Sequence, residues 1–392
     1  DILSNRTGLE HFDLANAWRL DYVLGLAAAH EIRALLTLTS FNLLSTHRYG
    51  GWASSPYKDS NGGPLSSPPE FFTDPRAIKV YQRYLRYVAA RWGALTQVFA
   101  WELFNEVDAC DGYVTHIPQV ATWHLTMAEY LKTLDLGRHM VTTSFAFSPV
   151  FEHKTVQETP LLDYAQTHTY DHPNFADAVS RDCLANSRAF DRPHLVGEFA
   201  VSSGNNNAKF DPTGLSIHNG LWASFASLGG GGAMVWYWDS YVDDNNLYRV
   251  FTPARRFASM VAWNQYKWAA TDVAVSSHHV LPVAKGWCQV GAAMHHHSGE
   301  GTAVLWLHDV ESEWSVRRIG VGPRTLDGVS VEVDVCGTNH HTARIVWFAP
   351  PSISLWSPSS LQCLVPSLPA LRCVERRWLW SQTEQGEHDN GD

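Results

Sequence analysis

The chain has 392 residues, 45% of them hydrophobic, and a formal net charge of -10, a length that suits one domain of barrel size and a smaller one. The acidic charge, without long basic runs, argues against nucleic acid and anionic membrane surfaces as partners. No run approaches the roughly 20 apolar residues of a transmembrane helix.

The first predicted elements are a helix, a strand and a long loop. Apolar residues recur at helical spacing over residues 12–32, and Asp13 can cap the helix. Residues 33–39 are typical of a short buried strand. A loop rich in Gly, Pro and Ser then extends to residue 70, and loops of this length are usually functional or disordered.

From residue 74 onward, predicted helices and strands alternate. The helices cover residues 74–92, 121–134, 175–190, 217–228 and 252–268; the strands begin at residue 98 and cover 140–145, 164–170, 194–199 and 233–238. Repeated strand–helix units predict a parallel sheet covered by helices, hence the α/β class. With residues 33–39, six strands are visible, whereas a closed (β/α)8 barrel needs eight.

Beyond residue 270, short alternating runs predict a small all-β sandwich module. The runs cover residues 273–275, 287–293, 302–308, 314–319, 329–335 and 342–348. We therefore expect a barrel domain over residues 1–270, a sandwich over 271–350 and a poorly ordered tail over 351–392. The segment 371–380 is the one candidate element in that tail.

Two carboxylates stand at predicted strand ends. Asn105 and Glu106 close the apolar run from residue 98, and Glu198 closes a similar run from residue 194. Hydrolysis of a glycosidic bond with retention needs an acid/base and a nucleophile roughly 5 to 5.5 Å apart. We expect Glu106 to be the acid/base, because the Asn105 amide beside it can bind a neighbouring sugar hydroxyl, and Glu198 to be the nucleophile. Taken singly, Asn105-Glu106 also fits a helix cap or an ion-pair partner, and Gly197-Glu198-Phe199 also fits a plain turn.

Other polar residues share these strands. Glu102 has the same side-chain parity as Glu106, and we expect it to be a buried, hydrogen-bonded structural carboxylate. His168 and Tyr170 end their strand, where an imidazole can bind sugar and a phenol can hold the nucleophile ionised. The alternative for both is a satisfied pair in the core.

Aromatic residues predict a sugar-binding surface. Trp236 and Trp238 alternate on the last predicted strand, with Trp238 favoured as the floor for a pyranose ring and core packing as the alternative for Trp236. His47 and Trp52, in the loop expected to shape the cleft, complete the predicted substrate-binding residues.

No cofactor or metal is expected. The six cysteines form no Cys-x-x-Cys pair. The run His295-His296-His297 is interpreted as a surface turn, since consecutive residues do not converge on one ion.

Four motifs occur in the order used by clan A glycoside hydrolases. They are Trp-Glu-Leu-Phe-Asn-Glu at 101–106, His-Thr-Tyr at 168–170, Gly-Glu-Phe at 197–199 and Trp-Tyr-Trp at 236–238. Over about residues 1–270 the chain resembles a family 5 cellulase or mannanase. The resemblance implies a TIM barrel, no metal, retention of configuration, an acid/base on the fourth strand and a nucleophile on the seventh; these roles fall on Glu106 and Glu198.

The chain also departs from this family. The resemblance makes residues 33–39 the third strand, so the first two strands, with the Arg usually found near the nucleophile, are expected to lie outside this sequence, as would any secretion signal. Where members tend to carry a His after the third strand, Ser40 and Phe41 stand, and His47 comes later.

Two hypotheses follow. The first is a retaining hydrolase of β-linked oligo- or polysaccharides of the mannan or glucan type. The second is a non-catalytic carbohydrate-binding protein or an inactive fragment of such an enzyme. Oligomeric state and location are not predicted.

Overall fold

A computed structural model describes residues 3, 7–47, 50–147, 150–265, 268–270, 273–275, 280–288, 301–310, 312–318, 330–334, 361–364 and 370–375. The chain divides into two compact units. Unit 1 comprises residues 1–169 and 185–197, and unit 2 comprises 170–184 and 198–392. Across the described ranges, no helix combines the length and apolarity required to cross a membrane.

Unit 1 alternates helices and strands in chain order. The elements are α1 (Leu14–Ala29), β1 (Ala34–Thr37), α2 (Pro75–Trp92), β2 (Val98–Glu102), α3 (Ile117–Leu134), β3 (Met140–Thr142), β4 (Ser144–Phe145), α4 (Val150–Gln157) and β5 (Ala165–Tyr170), whose last residue belongs to unit 2. β1 pairs in parallel with β2, β2 with β3, and β4 with β5. These parallel pairs confirm the predicted α/β class.

Capping and burial explain the helix positions. The Asp13 carboxylate accepts hydrogen bonds from two N–H groups of the first turn of α1, each at 3.1 Å, as predicted. Pro75 begins α2, and Asp74 accepts from the Arg76 N–H at 2.7 Å. The buried face of α2 carries Tyr81, whose hydroxyl donates to the Leu103 carbonyl at 2.8 Å. This bond fixes the chain just beyond β2.

The long loop between β1 and α2 is compact. It forms short 3-10 helices, including Trp52–Ser54 and Pro68–Phe72, and buries Trp52, Tyr57, Phe71 and Phe72. Phe71 lies against the Trp123 ring at a centroid distance of 5.5 Å. The loop therefore adds to the core of unit 1 instead of lying over its surface.

The outward face of α1 is apolar. Leu14, Trp18, Tyr22, Val23 and Leu26 are each 45–64% exposed. Within the described residues, the neighbouring strand β1 pairs only with β2, so its other edge is open. Exposed apolar faces and open strand edges are surfaces that further chain or a partner normally covers.

Unit 2 continues the helix–strand pattern. Its elements are α5 (Phe175–Phe190) and β6 (His194–Ala200), both shared with unit 1, then α6 (Asn207–Phe210), α7 (Leu215–Ala226) and α8 (Phe251–Ala258). β6 is the neighbour of β5 in its sheet. Two expectations in this part are wrong. Residues 233–238 form only an isolated parallel bridge, Phe199 to Val235, and the helix predicted over 252–268 ends at Ala258.

The remaining strands are antiparallel. They are β7 (Ala269–Ala270), β8 (Val273–Val275), β9 (Val280–Cys288), β10 (Gly301–Asp309), β11 (Ser330–Asp334), β12 (Leu361–Leu364) and β13 (Ala370–Glu375). β10, β9 and β7 form one sheet, and β12, β13, β11 and β8 another. The strand predicted over 314–319 is wrong, because Trp314–Arg318 is a helix, α9. The predicted run 342–348 and His295-His296-His297 lie outside the described residues.

Candidate active site

The chain after β2 is held by the chain after β1. The Asn105 N–H donates to the Thr39 carbonyl at 2.8 Å, and the Phe41 N–H donates to the Asn105 carbonyl at 3.0 Å. The Ser40 hydroxyl donates to the Asn105 side-chain oxygen at 3.2 Å. These bonds extend the parallel pairing of β1 and β2, so Asn105 and Glu106 stand at the carboxyl end of the strand, as predicted.

Glu106 has a left-handed backbone, with φ 51° and ψ 51°. This conformation costs a non-glycine residue about 1–2 kcal/mol and persists where the surrounding structure fixes it. The Glu106 N–H donates to the Ser144 hydroxyl at 2.9 Å. Its carboxylate lies 2.7 Å from Nδ1 of His168, whose side chain is only 1% exposed, while that of Glu106 is 15% exposed. Glu106 is therefore both accessible and held by an unexposed imidazole.

Glu102, four residues before Glu106 and the last residue of β2, is buried. Its carboxylate accepts hydrogen bonds from the Thr37 hydroxyl at 2.5 Å and the Gln166 amide at 2.6 Å. Burial raises the pKa of Glu102 above its usual value, although hydrogen bonding with Ser144 and Thr37 acts in the opposite direction. The prediction of a buried, hydrogen-bonded structural carboxylate is confirmed.

Tyr170 and Glu198 form a pair in unit 2. The Tyr170 hydroxyl donates to Oε2 of Glu198 at 2.6 Å, a length typical of a charge-assisted bond. Next to Glu198, the Phe199 N–H donates to the Met234 carbonyl at 2.9 Å. The predicted hydrogen bond between the Tyr170 phenol and the Glu198 carboxylate is therefore present. The strand that carries Glu198 is itself hydrogen-bonded to the segment that contains Met234.

The two tryptophans predicted to bind sugar, Trp236 and Trp238, are accessible. Trp236 is 54% exposed and Trp238 is 44% exposed, so the alternative of core packing does not apply to Trp236. The Trp238 ring stacks on Phe251 at a centroid distance of 5.2 Å and an interplanar angle of 19°. One face of Trp238 is thus supported by another ring, as in a stacking platform.

The loop residues differ from expectation. His47 is exposed, whereas Trp52 is 5% exposed and belongs to the core of unit 1. A ring with so little accessible surface offers no face to a sugar. The predicted role of Trp52 in binding substrate is therefore not supported, because the loop folds inward around its aromatic residues.

Polar residues near Glu106 were missed by sequence reasoning. Ser40 and Ser144 stand at predicted strand ends, the same signal that identified Glu106 and Glu198, and were passed over because a lone serine suggests no chemistry. Asp108, two residues after Glu106, follows no pattern. Burial raises the pKa of Asp108 to about 7.

Comparison with known proteins identifies partial relatives. The chain is 34% identical to mannan endo-1,4-beta-mannosidase F of Aspergillus clavatus over 125 residues, 32% of this chain and 26% of that protein. It is 32% identical to mannan endo-1,4-beta-mannosidase 3 of Oryza sativa subsp. japonica over 173 residues, 40% of this chain and 36% of that protein. The predicted resemblance to glycoside hydrolases is confirmed by these relatives, of which the chain spans only a part.

Two further comparisons complete this result. No family model matches the chain. Among solved structures, the endo-beta-1,4-mannanase from Thermotoga petrophila is similar with a TM-score of 0.44 and 16% identity, over 82% of this chain and 80% of that one.

Proposed function

We propose that this chain carries the catalytic carboxylates of a retaining hydrolase that cleaves β-linked mannan. The observation that supports this most is that each candidate carboxylate has its own polar partner at a strand end. Glu106 lies 2.7 Å from His168, and Glu198 accepts a 2.6 Å hydrogen bond from Tyr170. The similarity to mannan endo-1,4-beta-mannosidases supports mannan as the substrate.

The proposed reaction has two steps. Glu198 attacks the anomeric carbon while Glu106 protonates the departing oxygen, and a glycosyl ester forms on Glu198. Glu106 then takes a proton from water, which attacks the anomeric carbon and releases Glu198, so the configuration is retained. The mechanism requires the two carboxyl groups to face one sugar ring, and Asn105 beside Glu106 supplies an amide for a ring hydroxyl.

The proposed scaffold is a (β/α)8 barrel of which the chain holds six strand positions, with a β-sandwich after it. The barrel is supported by parallel strands that pair in chain order, most of which are followed by a helix. The supported ring of Trp238 is proposed as the floor for a pyranose ring, with Trp236 beside it in sequence.

Hydrolysis of β-mannan and cellulose by the purified chain tests this function. The Glu198→Gln variant should lose at least about 10⁴-fold in kcat, the order seen when a nucleophile is removed. The matched control is Glu129→Gln, an exposed carboxylate on α3, which should leave the rate unchanged. A kcat of Glu198→Gln equal to that of the wild type would reject the mechanism.

A second measurement separates the roles of the two carboxylates. An aryl β-mannoside with a good leaving group needs no protonation, so Glu106→Ala should still form the glycosyl ester and stall there. Added azide should then release a β-mannosyl azide. With Glu198→Ala, azide attacks directly and should give the α-product. An α-azide from Glu106→Ala and a β-azide from Glu198→Ala would reverse the assignment of acid/base and nucleophile.

The rival function is a binding protein without turnover. The exposed rings of Trp236 and Trp238 favour it, because stacking needs no catalytic group. In that case mannan oligosaccharides should quench tryptophan fluorescence while no reducing ends appear, and Trp238→Ala should abolish the quenching.

A further inference from the structure

The backbone of Glu106 is held on both sides by the end of β4. On the amino side, the Glu106 N–H donates to the Ser144 hydroxyl at 2.9 Å. On the carboxyl side, a 3-10 helix, Val107–Ala109, begins directly, and the Asp108 carboxylate accepts the Ala146 N–H at 2.8 Å. A left-handed glutamate persists only where its surroundings fix it, and these two bonds are available to do so.

Asp108 lies in surroundings that disfavour an ordinary charged aspartate. Its side chain is 6% exposed, and within the described residues its Oδ2 has no hydrogen-bond partner. The nearest imidazole nitrogen, Nε2 of His153, is 4.0 Å away and forms a 2.9 Å hydrogen-bond contact with the Phe147 carbonyl. Burial lowers the pKa of His153 to about 4, so this ring is neutral near pH 7. A buried carboxyl with one unsatisfied oxygen destabilises the fold. Its presence beside Glu106 therefore suggests a role other than stability.

We propose that Asp108 is the positioning residue for Glu106. Its hydrogen bond to Ala146 ties the turn after Glu106 to the end of β4 and maintains the left-handed backbone that directs the Glu106 carboxylate toward His168. This inference rests on the proposed function, because Glu106 acts as acid/base there.

Asp108→Ala and Asp108→Asn separate the hydrogen bond to Ala146 from the charge of Asp108. Alanine removes the acceptor for the Ala146 N–H, whereas asparagine keeps an acceptor oxygen and removes the charge. For Asp108→Ala we expect kcat to fall about 10- to 100-fold with KM nearly unchanged, as for a misplaced catalytic group. Asp108→Asn should recover most of kcat, because the acceptor for the Ala146 N–H is retained. The control is Asp177→Asn, an exposed residue on α5.

Crystal structures of both variants test the inference independently of activity. Residue 106 should leave the left-handed region in Asp108→Ala and stay there in Asp108→Asn. An unchanged φ at residue 106 in Asp108→Ala, or equal losses of kcat in both variants, would overturn the positioning role. A wild-type chain that hydrolyses nothing would defeat the proposed function instead, and the backbone test would still decide the role of Asp108.

Discussion

Glu106 and Glu198 have partners of different acid–base character. The Tyr170 hydroxyl donates to the Glu198 carboxylate, an arrangement that suits a carboxylate acting as a nucleophile. An imidazole nitrogen can donate or accept, so the His168 contact suits a Glu106 carboxyl that alternates between acid and base. This asymmetry supports the proposed roles of nucleophile and acid/base.

The Tyr170 hydroxyl is open to a direct test. Tyr170→Phe removes a hydrogen bond to a charged group, worth about 1.5–3 kcal/mol. We therefore expect kcat/KM for aryl β-mannosides to fall about 10- to 100-fold. The control is Tyr87→Phe, where the hydroxyl contacts Arg91 on the surface of α2. An unchanged kcat/KM in Tyr170→Phe would mean that this bond does not serve the reaction.

The surroundings of a single residue were predictable where they depend only on its position along one strand. Strand parity predicts the Tyr170–Glu198 bond and the burial of Glu102. The burial of Trp52 depends on how a long loop folds back onto α2 and α3, and residue spacing contains no such information. The contact of His168 with Glu106 likewise depends on side-chain rotamers across two strands.

Among the elements, a glycine allows close packing between β6 and β5. A Cβ built on Gly197 would lie 2.7 Å from Cδ of Gln166, the side chain that donates to Glu102. Only a residue without Cβ leaves Gln166 in this position. Gly197 thus packs β6 against the Gln166 side chain that donates to Glu102.

Gly197→Ala should consequently destabilise the fold. The added methyl must displace Gln166 from Glu102, and we expect a loss of about 1–3 kcal/mol in the free energy of unfolding, measured in urea. The matched control is Gly25→Ala in α1, where an added Cβ meets nothing within 4 Å. That change should stabilise by about 0.4–1 kcal/mol. Equal stability of Gly197→Ala and the wild type would show that β6 and β5 separate readily at this point.

Elements with a long periodic pattern were predictable, and short apolar runs were not. Residues 233–238 have the composition of a strand, yet the Trp238 N–H donates to the Trp236 carbonyl at 2.9 Å and closes a turn. Residues 314–318 also alternate like a strand, but the Trp314 indole donates to the His172 carbonyl at 2.9 Å and its ring stacks on Phe210. A local turn decides the first segment, and contacts distant in sequence decide the second.

At the scale of the whole molecule, residues 312–318 belong to the same compact unit as α5 and α7. The Glu313 carboxylate accepts the N–H groups of Phe175 and Ala176 at 3.4 and 3.3 Å, at the start of α5. The Asn219 amide of α7 donates to the Ser312 carbonyl at 2.9 Å. Composition changes near residue 270, but these bonds tie the later segment to the helices of unit 2.

Buried histidines predict the response of the whole chain to acid. Burial lowers the pKa of His124 to about 4, and those of His194 and His218 to about 3. These histidines therefore bind protons in the unfolded chain at pH values where they stay neutral in the folded chain. The free energy of unfolding falls as pH drops from about 6.5 toward these pKa values. Asp108 has the opposite effect because its pKa is raised: its contribution lowers the free energy of unfolding as pH rises from about 4 to about 7.

His194→Gln isolates one of these contributions. His194 is fully buried, with Nε2 2.8 Å from the Thr167 hydroxyl. The dependence of unfolding free energy on pH between about 6 and 4 should become shallower by up to about 1.4 kcal/mol per pH unit, the slope for one proton. Urea titrations at several pH values measure this slope. An identical slope in the variant would show that His194 protonates equally in both states.

Trapping the glycosyl ester tests the central claim most directly. With a 2-deoxy-2-fluoro-β-mannosyl fluoride, the fluorine at C2 disfavours the charged transition states of both steps. The good fluoride leaving group at C1 keeps the first step faster than the second, so the ester accumulates. Peptide mass mapping should find the label on Glu198, with none in Glu198→Gln and slower labelling in Tyr170→Phe. Label on another residue, or continued hydrolysis of mannan without any label, would contradict the account.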